Sequence, residues 1–268
     1  MVLLLSSLLQ PAFAQEREAY FFGVFPHMTS ARIEKLYVPV ALALADLLQR
    51  PVKLGTAKTM DAFQLRVQRG DFDIALIPPL EIVSVVDEDG YAPLARRQSK
   101  AAGIYVREDS LIGKMSDLKG KVVGLPSGTP VEIILKLTLQ DQGFTPDIDI
   151  QFKDFRNVQG CLHKLRLQEV DACGSTSGEG VLMFQKRMKT ALREVMTTVP
   201  FPHMLFVAHP RIPVEEQRMM SEALTGQSGN EQGRKLKAAL GDKAIYVPYL
   251  HKDYDVIRQY RQRWMENG

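Results

Sequence analysis

The chain is poor in cysteine and tryptophan, with two of the former and one of the latter in 268 residues. Cys161 and Cys173 do not have zinc-ligand spacing, and a single pair is no disulfide framework. The formal net charge of +3 is small, and Lys and Arg are interspersed with Asp and Glu, which argues against nucleic acid as the main partner. The chain has no low-complexity tract, short repeat, heptad run or Pro/Gly-rich linker. A nucleophile elbow, a zinc-ligand pair and a dinucleotide fingerprint are also missing. The histidines (His27, His163, His203, His209, His251) are dispersed, with no Ser or Cys at a telling spacing. The sequence therefore points to no catalysis, no cofactor and no metal. At 45% hydrophobic and 24% charged, the composition is that of a globular protein able to form one large domain or two small ones.

MVLLLSSLLQPAFAQ has the form of a secretory leader, an apolar run followed by Ala-Phe-Ala. The run is too short to span a bilayer, and the usual Lys or Arg ahead of it is missing. Residues 1–14 are expected to be removed, leaving a mature, exported chain that begins near Gln15. No Cys follows the small residues, so a lipid anchor is not expected. Export permits a disulfide. Cys161 falls in a predicted helix and Cys173 in the following strand, where free cysteine commonly packs as a small hydrophobe, and we read them as two buried thiols.

VQRGDFDIALIPP (Val67 to Pro79) organises the first half. It reads as the end of a helix, a Gly-Asp turn, a buried strand and a stop at two prolines, which cannot donate ladder hydrogen bonds. Gln159 to Gly178 repeats the order of helix, acidic turn, strand and loop about a hundred residues later, and two such units point to two similar lobes. Strands predicted at Tyr20–Val24, 51–54, 104–106, 121–124, 148–152 and 204–208 alternate with helices predicted over 31–49, 60–68, 130–141, 214–224, 233–240 and 253–265. That alternation implies α/β architecture with largely parallel sheets covered on both faces. Glu81 to Val86 reads as the start of a helix, and Tyr246 to Tyr249 as a loop.

Five stretches, in order, resemble the periplasmic substrate-binding proteins of phosphate, phosphite and phosphonate ABC importers, within the type II periplasmic-binding superfamily. They are FFGVFPHMTSARIEKLYVPVALALADLLQRPVKL, RGDFDIALIPPLEIV, MSDLKGKVVGLPSGTP, LQEVDAC and VPYLHKDYDVIRQYRQR. The resemblance implies two α/β lobes joined by two crossing strands, with residues 15–102 and 208–268 in lobe 1 and 103–207 in lobe 2. It also implies a ligand trapped by hinge closure, an inner-membrane permease as partner, a periplasmic location and no enzymatic activity. A monomer is expected.

In that family an oxyanion sits at helix N-termini, where unpartnered N–H groups and the dipole favour negative charge. Ser127, Gly128 and Thr129, before the helix at Pro130, are the candidates. The alternative is an ordinary N-cap in which Thr129 bonds its own helix. The sequence departs from the family pattern, since positions aligned with polar ligand contacts hold Met60, Ile82 and Val158. A more apolar cleft is therefore the second reading, with Met28, Met60, Ile82 and Phe25 around a hydrophobic or lipid ligand such as a sterol. Pro79, at the carboxyl end of a strand, and His27, in the loop after the first strand, suit either ligand. Ser175 and Thr176, in GSTSG, form a second candidate anion nest. This is not a P-loop, because Glu179 stands where a Lys would be needed.

Overall fold

The computed structural model of the protein describes residues 18–176, 178–241 and 244–267. The expected leader at 1–14 and the mature start at Gln15 lie outside them. Two mixed sheets form the framework. The first contains β1 (Tyr20–Val24), β2 (Val52–Gly55), β3 (Ile74–Ile77), β4 (Ala92–Arg97), β10 (Leu205–Ala208) and β11 (Tyr246–Pro248), in the order β11-β4-β10-β3-β1-β2. The second contains β5 (Ala102–Arg107), β6 (Val122–Pro126), β7 (Gln151–Phe155), β8 (Ala172–Thr176) and β9 (Leu192–Thr197), in the order β7-β6-β8-β5-β9. The helices are α1 (Ser30–Leu48), α2 (Met60–Gln68), α3 (Pro130–Asp141), α4 (Val158–Arg166), α5 (Glu179–Met188), α6 (Val214–Thr225), α7 (Glu231–Leu240) and α8 (Asp255–Asn267).

The same device sets each sheet's register. Asp73 enters β3 buried, and its carboxylate accepts the Phe21 N–H at 2.7 Å while its own N–H bonds the Phe21 carbonyl at 2.9 Å. Asp171, ahead of β8, does the same with Val122, at 2.8 and 2.9 Å. The repeated acidic turn is thus a reciprocal clamp onto the first residues of the neighbouring parallel strand. Charge on the acceptor makes such a bond stronger than an ordinary amide bond. Arg211 Nε adds a 2.6 Å contact to Asp73.

The sheets are mixed, not mainly parallel as expected. β1 pairs in parallel with β2 and β3, and β6 with β7 and β8, whereas β10, β4, β11, β5 and β9 pair antiparallel. The cause is the double crossing between sheets. The chain leaves the first sheet through β4 into β5 and returns through β9 into β10, and a leaving and a returning segment must run in opposite senses. The two crossings are zipped together: Lys100 and Phe201 exchange backbone hydrogen bonds of 3.1 Å, and the Ala102 N–H donates to the Thr198 hydroxyl at 3.0 Å.

Three local expectations are corrected. Tyr246–Pro248 is an edge strand, a position that tolerates proline. β7 begins three residues later than the predicted 148. Val83–Glu88 is a π-helical stretch after a 3-10 turn at Pro79–Glu81. β9, with the half-alternating sequence LREVMT, was not anticipated.

α8 closes the back of the molecule. Arg258 holds Asp87 beside the first sheet with contacts of 2.7 and 3.0 Å, and Arg263 holds Asp141 at the end of α3 with 2.7 and 3.1 Å. Tyr254, Ile257 and Tyr260 lie in one continuous core with Ile134, Leu135 and Leu139 of α3.

The reading of two free thiols is overturned. Cys161 and Cys173 are joined by a disulfide, with Cα atoms 6.0 Å apart. The inward face of α4 lies directly on β8, so residues assigned separately to a helix and a strand meet. Gly124 makes room for the bridge, because a Cβ there would stand 2.6 Å from the Cys161 sulfur and 2.7 Å from the Phe155 ring. Replacing both cysteines with Ser is expected to lower unfolding free energy by about 3 kcal/mol, the scale for closing a short loop. Urea denaturation of the two proteins measures this, and an unchanged midpoint would show the bridge to be energetically idle.

Candidate functional site

A cleft of about 280 Å3 opens where the two crossings meet the second sheet. One wall is the first crossing, with Arg97 at the end of β4 and Lys100 beyond it. The second crossing contributes His203 and Met204. The other wall is the carboxyl end of β8, with Ser175 and Thr176, and the first residues of α4 (Val158, Gln159) and α5 (Gly180). The small residues of β8 let it lie close to its neighbours. A Cβ on Gly174 would come within 2.5 Å of Leu125. Asn157 caps α4 by accepting the Gly160 N–H at 2.9 Å, while Gly178, at φ 105°, starts α5 with no side-chain cap. The first turns of both helices thus border the cleft, at the end of a helix that favours negative charge.

The charge in this cleft is uncompensated. Among the described residues no carboxylate lines it, and neither Arg97 nor Lys100 has a carboxylate within ion-pair distance. Burial, and behind it the charges of Arg97 and Lys100, pushes His203 down to about 4. Its Nε2 is buried without a hydrogen-bond partner, and its ring stacks on Phe201 at 5.4 Å. His27, stacked on Phe25 at 4.4 Å with Nδ1 2.9 Å from the Phe25 carbonyl, is also held below the usual imidazole value. Burial is the main cause there, with Arg97 and Arg32 adding to it. Both rings are therefore neutral near pH 7, and the field is that of two cations.

The structure brings some of the anticipated residues together and leaves others apart. Ser175 and Thr176 line the cleft, as does Val158. His27 stands within the field of Arg97, half-buried, with Met28 beside it. Met60 opens α2 and packs against the core, Pro79 is buried, and Ile82 and Phe25 are 0% and 8% exposed. Ser127 and Gly128 are on the surface, and Thr129 caps α3, accepting the Glu132 N–H at 3.4 Å and donating to the Pro126 carbonyl at 2.6 Å. The Gly128 amide is already taken, since Glu132 Oε2 accepts it at 2.7 Å, while Lys136 holds Oε1 at 2.8 Å. This turn is filled by the chain's own carboxylate. Arg97, Lys100, Gln159, Gly180, His203 and Met204 were not singled out in the sequence. No local pattern in the sequence sets them apart.

A family model described as the periplasmic substrate-binding protein of phosphonate ABC transporters matches residues 22–254. The chain belongs to this family. The family proteins are transport substrate-binding proteins rather than enzymes, which implies a small-molecule ligand, an ABC permease as partner and a periplasmic location. No curated protein matches. Among solved structures, a Xanthomonas citri protein bound to ATP is 14% identical with a TM-score of 0.75, covering 92% of this chain and 98% of its own. PhnD1 from Prochlorococcus marinus in complex with methylphosphonate is 12% identical with a TM-score of 0.72, covering 92% and 98%. A binding-protein component of an ABC phosphonate transporter from Pseudomonas aeruginosa is 14% identical with a TM-score of 0.70, covering 91% and 87%. At these identities the likeness shows the fold, the two-lobed α/β architecture of type II periplasmic binding proteins. Among the described residues no helix is long and apolar enough to cross a membrane.

Two outcomes follow from this geometry. As pH falls through about 6.5 the unfolded chain takes up a proton at His203, whereas the folded protein resists until about 4. The residue therefore withdraws stability progressively across that window and adds nothing above it. Calorimetry should show Tm falling on acidification, with a shallower fall for His203→Gln; parallel slopes would rule the residue out. Separately, Glu132→Ala removes the acceptor of the Gly128 amide and leaves Lys136 unpaired, so chemical denaturation should show a loss of about 1–3 kcal/mol.

Proposed function

We propose that this family member is exported, free of a lipid anchor, and closes its two lobes, residues 15–102 with 208–268 and residues 103–207, over a small oxyanion. The oxyanion is of the phosphonate, phosphite or phosphate type and is delivered to the permease of an ABC importer in the inner membrane. The observation that carries this reading is Arg97 and Lys100, without a carboxylate partner among the described residues, in a cleft bordered by two helix starts. Buried or half-buried cations without partners are costly, and an incoming anion removes that cost. Methylphosphonate and ATP, the ligands bound by two of the structural neighbours, both carry oxygen-rich anionic groups.

The apolar alternative, a lipid such as a sterol held by Met28, Met60, Ile82 and Phe25, draws less support. Ile82 and Phe25 are spent in the core, and Met28 and Met60 pack against it.

Native mass spectrometry of freshly purified protein, followed by thermal-shift titration with methylphosphonate, phosphite, phosphate and a lipid panel, tests the reading. A rise in Tm of several degrees is expected with at least one oxyanion, weakening as salt is added. Carried-over lipid with no oxyanion response would reject the proposal in favour of the apolar ligand. The protein is expected to be monomeric with and without ligand by light scattering.

A further inference from the structure

The two cations bear on which oxyanion the cleft accepts. Arg97 and Lys100 lie three residues apart on the same crossing, and both border the cleft. No described carboxylate faces them there; His203 and His27 are rings rather than fixed charges, burial keeps the Tyr37 and Tyr246 phenols neutral, and Arg32 adds further positive charge beside His27. The helix starts of α4 and α5 on the opposite wall add partial positive charge. Among the described residues, a ligand in this space meets positive potential from both walls and no carboxylate to receive a cation. The turn at 127–130, another place where a helix start could hold an anion, is closed by Glu132. The surfaces left for the ligand's oxygens are therefore the guanidinium of Arg97, the ammonium of Lys100, the Thr176 hydroxyl and the unpartnered His203 nitrogen, while the Ser175 hydroxyl already donates to the Thr176 carbonyl at 3.0 Å.

We propose that the cleft selects small dianions that carry no ammonium group, with Arg97 and Lys100 as the residues that set this selectivity. The inference rests on the reading that the cleft is the ligand site. A doubly charged oxyanion neutralises both cations, with Arg97 able to present two parallel N–H groups to two oxygens and Lys100 acting as a point charge on a third. A singly charged ligand leaves one cation without a counter-charge. A zwitterion brings a positive group into a site with two cations and, among the described residues, no carboxylate to face it, so the same phosphonate head with an added amine is disfavoured. Because both residues belong to the segment that joins the lobes, and the hydroxyls and helix starts belong to the second lobe, the ligand's charge also draws that lobe onto the crossing.

Isothermal calorimetry on the full-length mature protein tests this with phosphite and methylphosphonate as dianions, 2-aminoethylphosphonate as zwitterion and dimethyl methylphosphonate as neutral ester. The expected result is binding of one or both dianions, with the zwitterion and the ester weaker by about 30-fold or more. Arg97→Gln and Lys100→Gln should each weaken dianion binding by about 10- to 100-fold, the scale of a charge-assisted hydrogen bond, and narrow the gap to the zwitterion. Glu132→Ala, which empties the other turn, should leave dianion affinity as in the wild type. Circular dichroism and Tm show that each variant is folded. Equal or tighter binding of 2-aminoethylphosphonate, wild-type affinity in both cation variants, or tighter dianion binding in Glu132→Ala would each overturn the inference and leave the oxyanion-carrier reading intact. No response of the wild type to any oxyanion would remove that reading and this inference together.

Discussion

The arrangement of the molecule depends on the pairing of two crossing segments at Lys100 and Phe201. Backbone groups there bond each other, so both passages between the sheets are ordered and lie side by side. That pairing fixes the antiparallel partners of β4, β5, β9 and β10 and makes each sheet mixed. It also sets where the cleft can be. Main-chain bonds hold Arg97 and Lys100 on one crossing beside His203 and Met204 on the other at the mouth of the second sheet, and His203 is further held by its stack on Phe201. The charged ends remain uncommitted, as a binding surface requires.

Within each lobe the framework repeats. Asp73 and Asp171 clamp the opening residues of adjacent parallel strands in the same reciprocal way, with nearly the same distances. This is why the acidic turn before a short apolar strand could be recognised twice in the sequence: the carboxylate has one stereochemical task in both places. β1, α2 and α3 fall at the residues their patterns predict, and α1 nearly so, because apolar periodicity and proline stops are local signals. β9 and β11 escaped for the opposite reason. Each is an edge strand paired along one side only, so burial leaves a weak imprint on its sequence.

The site was less legible than the fold. Ser175 and Thr176, which line the cleft, drew notice in the sequence because a hydroxyl-rich loop after a buried strand is a local pattern. The turn at 127–130 has the same appearance in sequence, and only the structure shows Glu132 folded back onto the Gly128 amide. Arg97 and Lys100 look like any two of 34 basic residues. What distinguishes them is the lack of an acidic neighbour in space among the described residues, and no pattern along the chain records that. The disulfide escaped in the same manner, since its halves belong to two elements whose contact is tertiary.

All five strands of the second sheet lie between residues 102 and 197, whereas the first sheet is finished only by β10 and β11, at 205–208 and 246–248. A chain that emerges amino end first can therefore complete its middle third, including the sulfur bridge, while the earlier-made third still waits for a partner. Until β10 arrives to sit between β3 and β4, the apolar run Ile74–Ile77 has an open edge able to recruit a foreign strand. The half made first is thus the half finished last, and the interval between the two is when the protein is most exposed to aggregation.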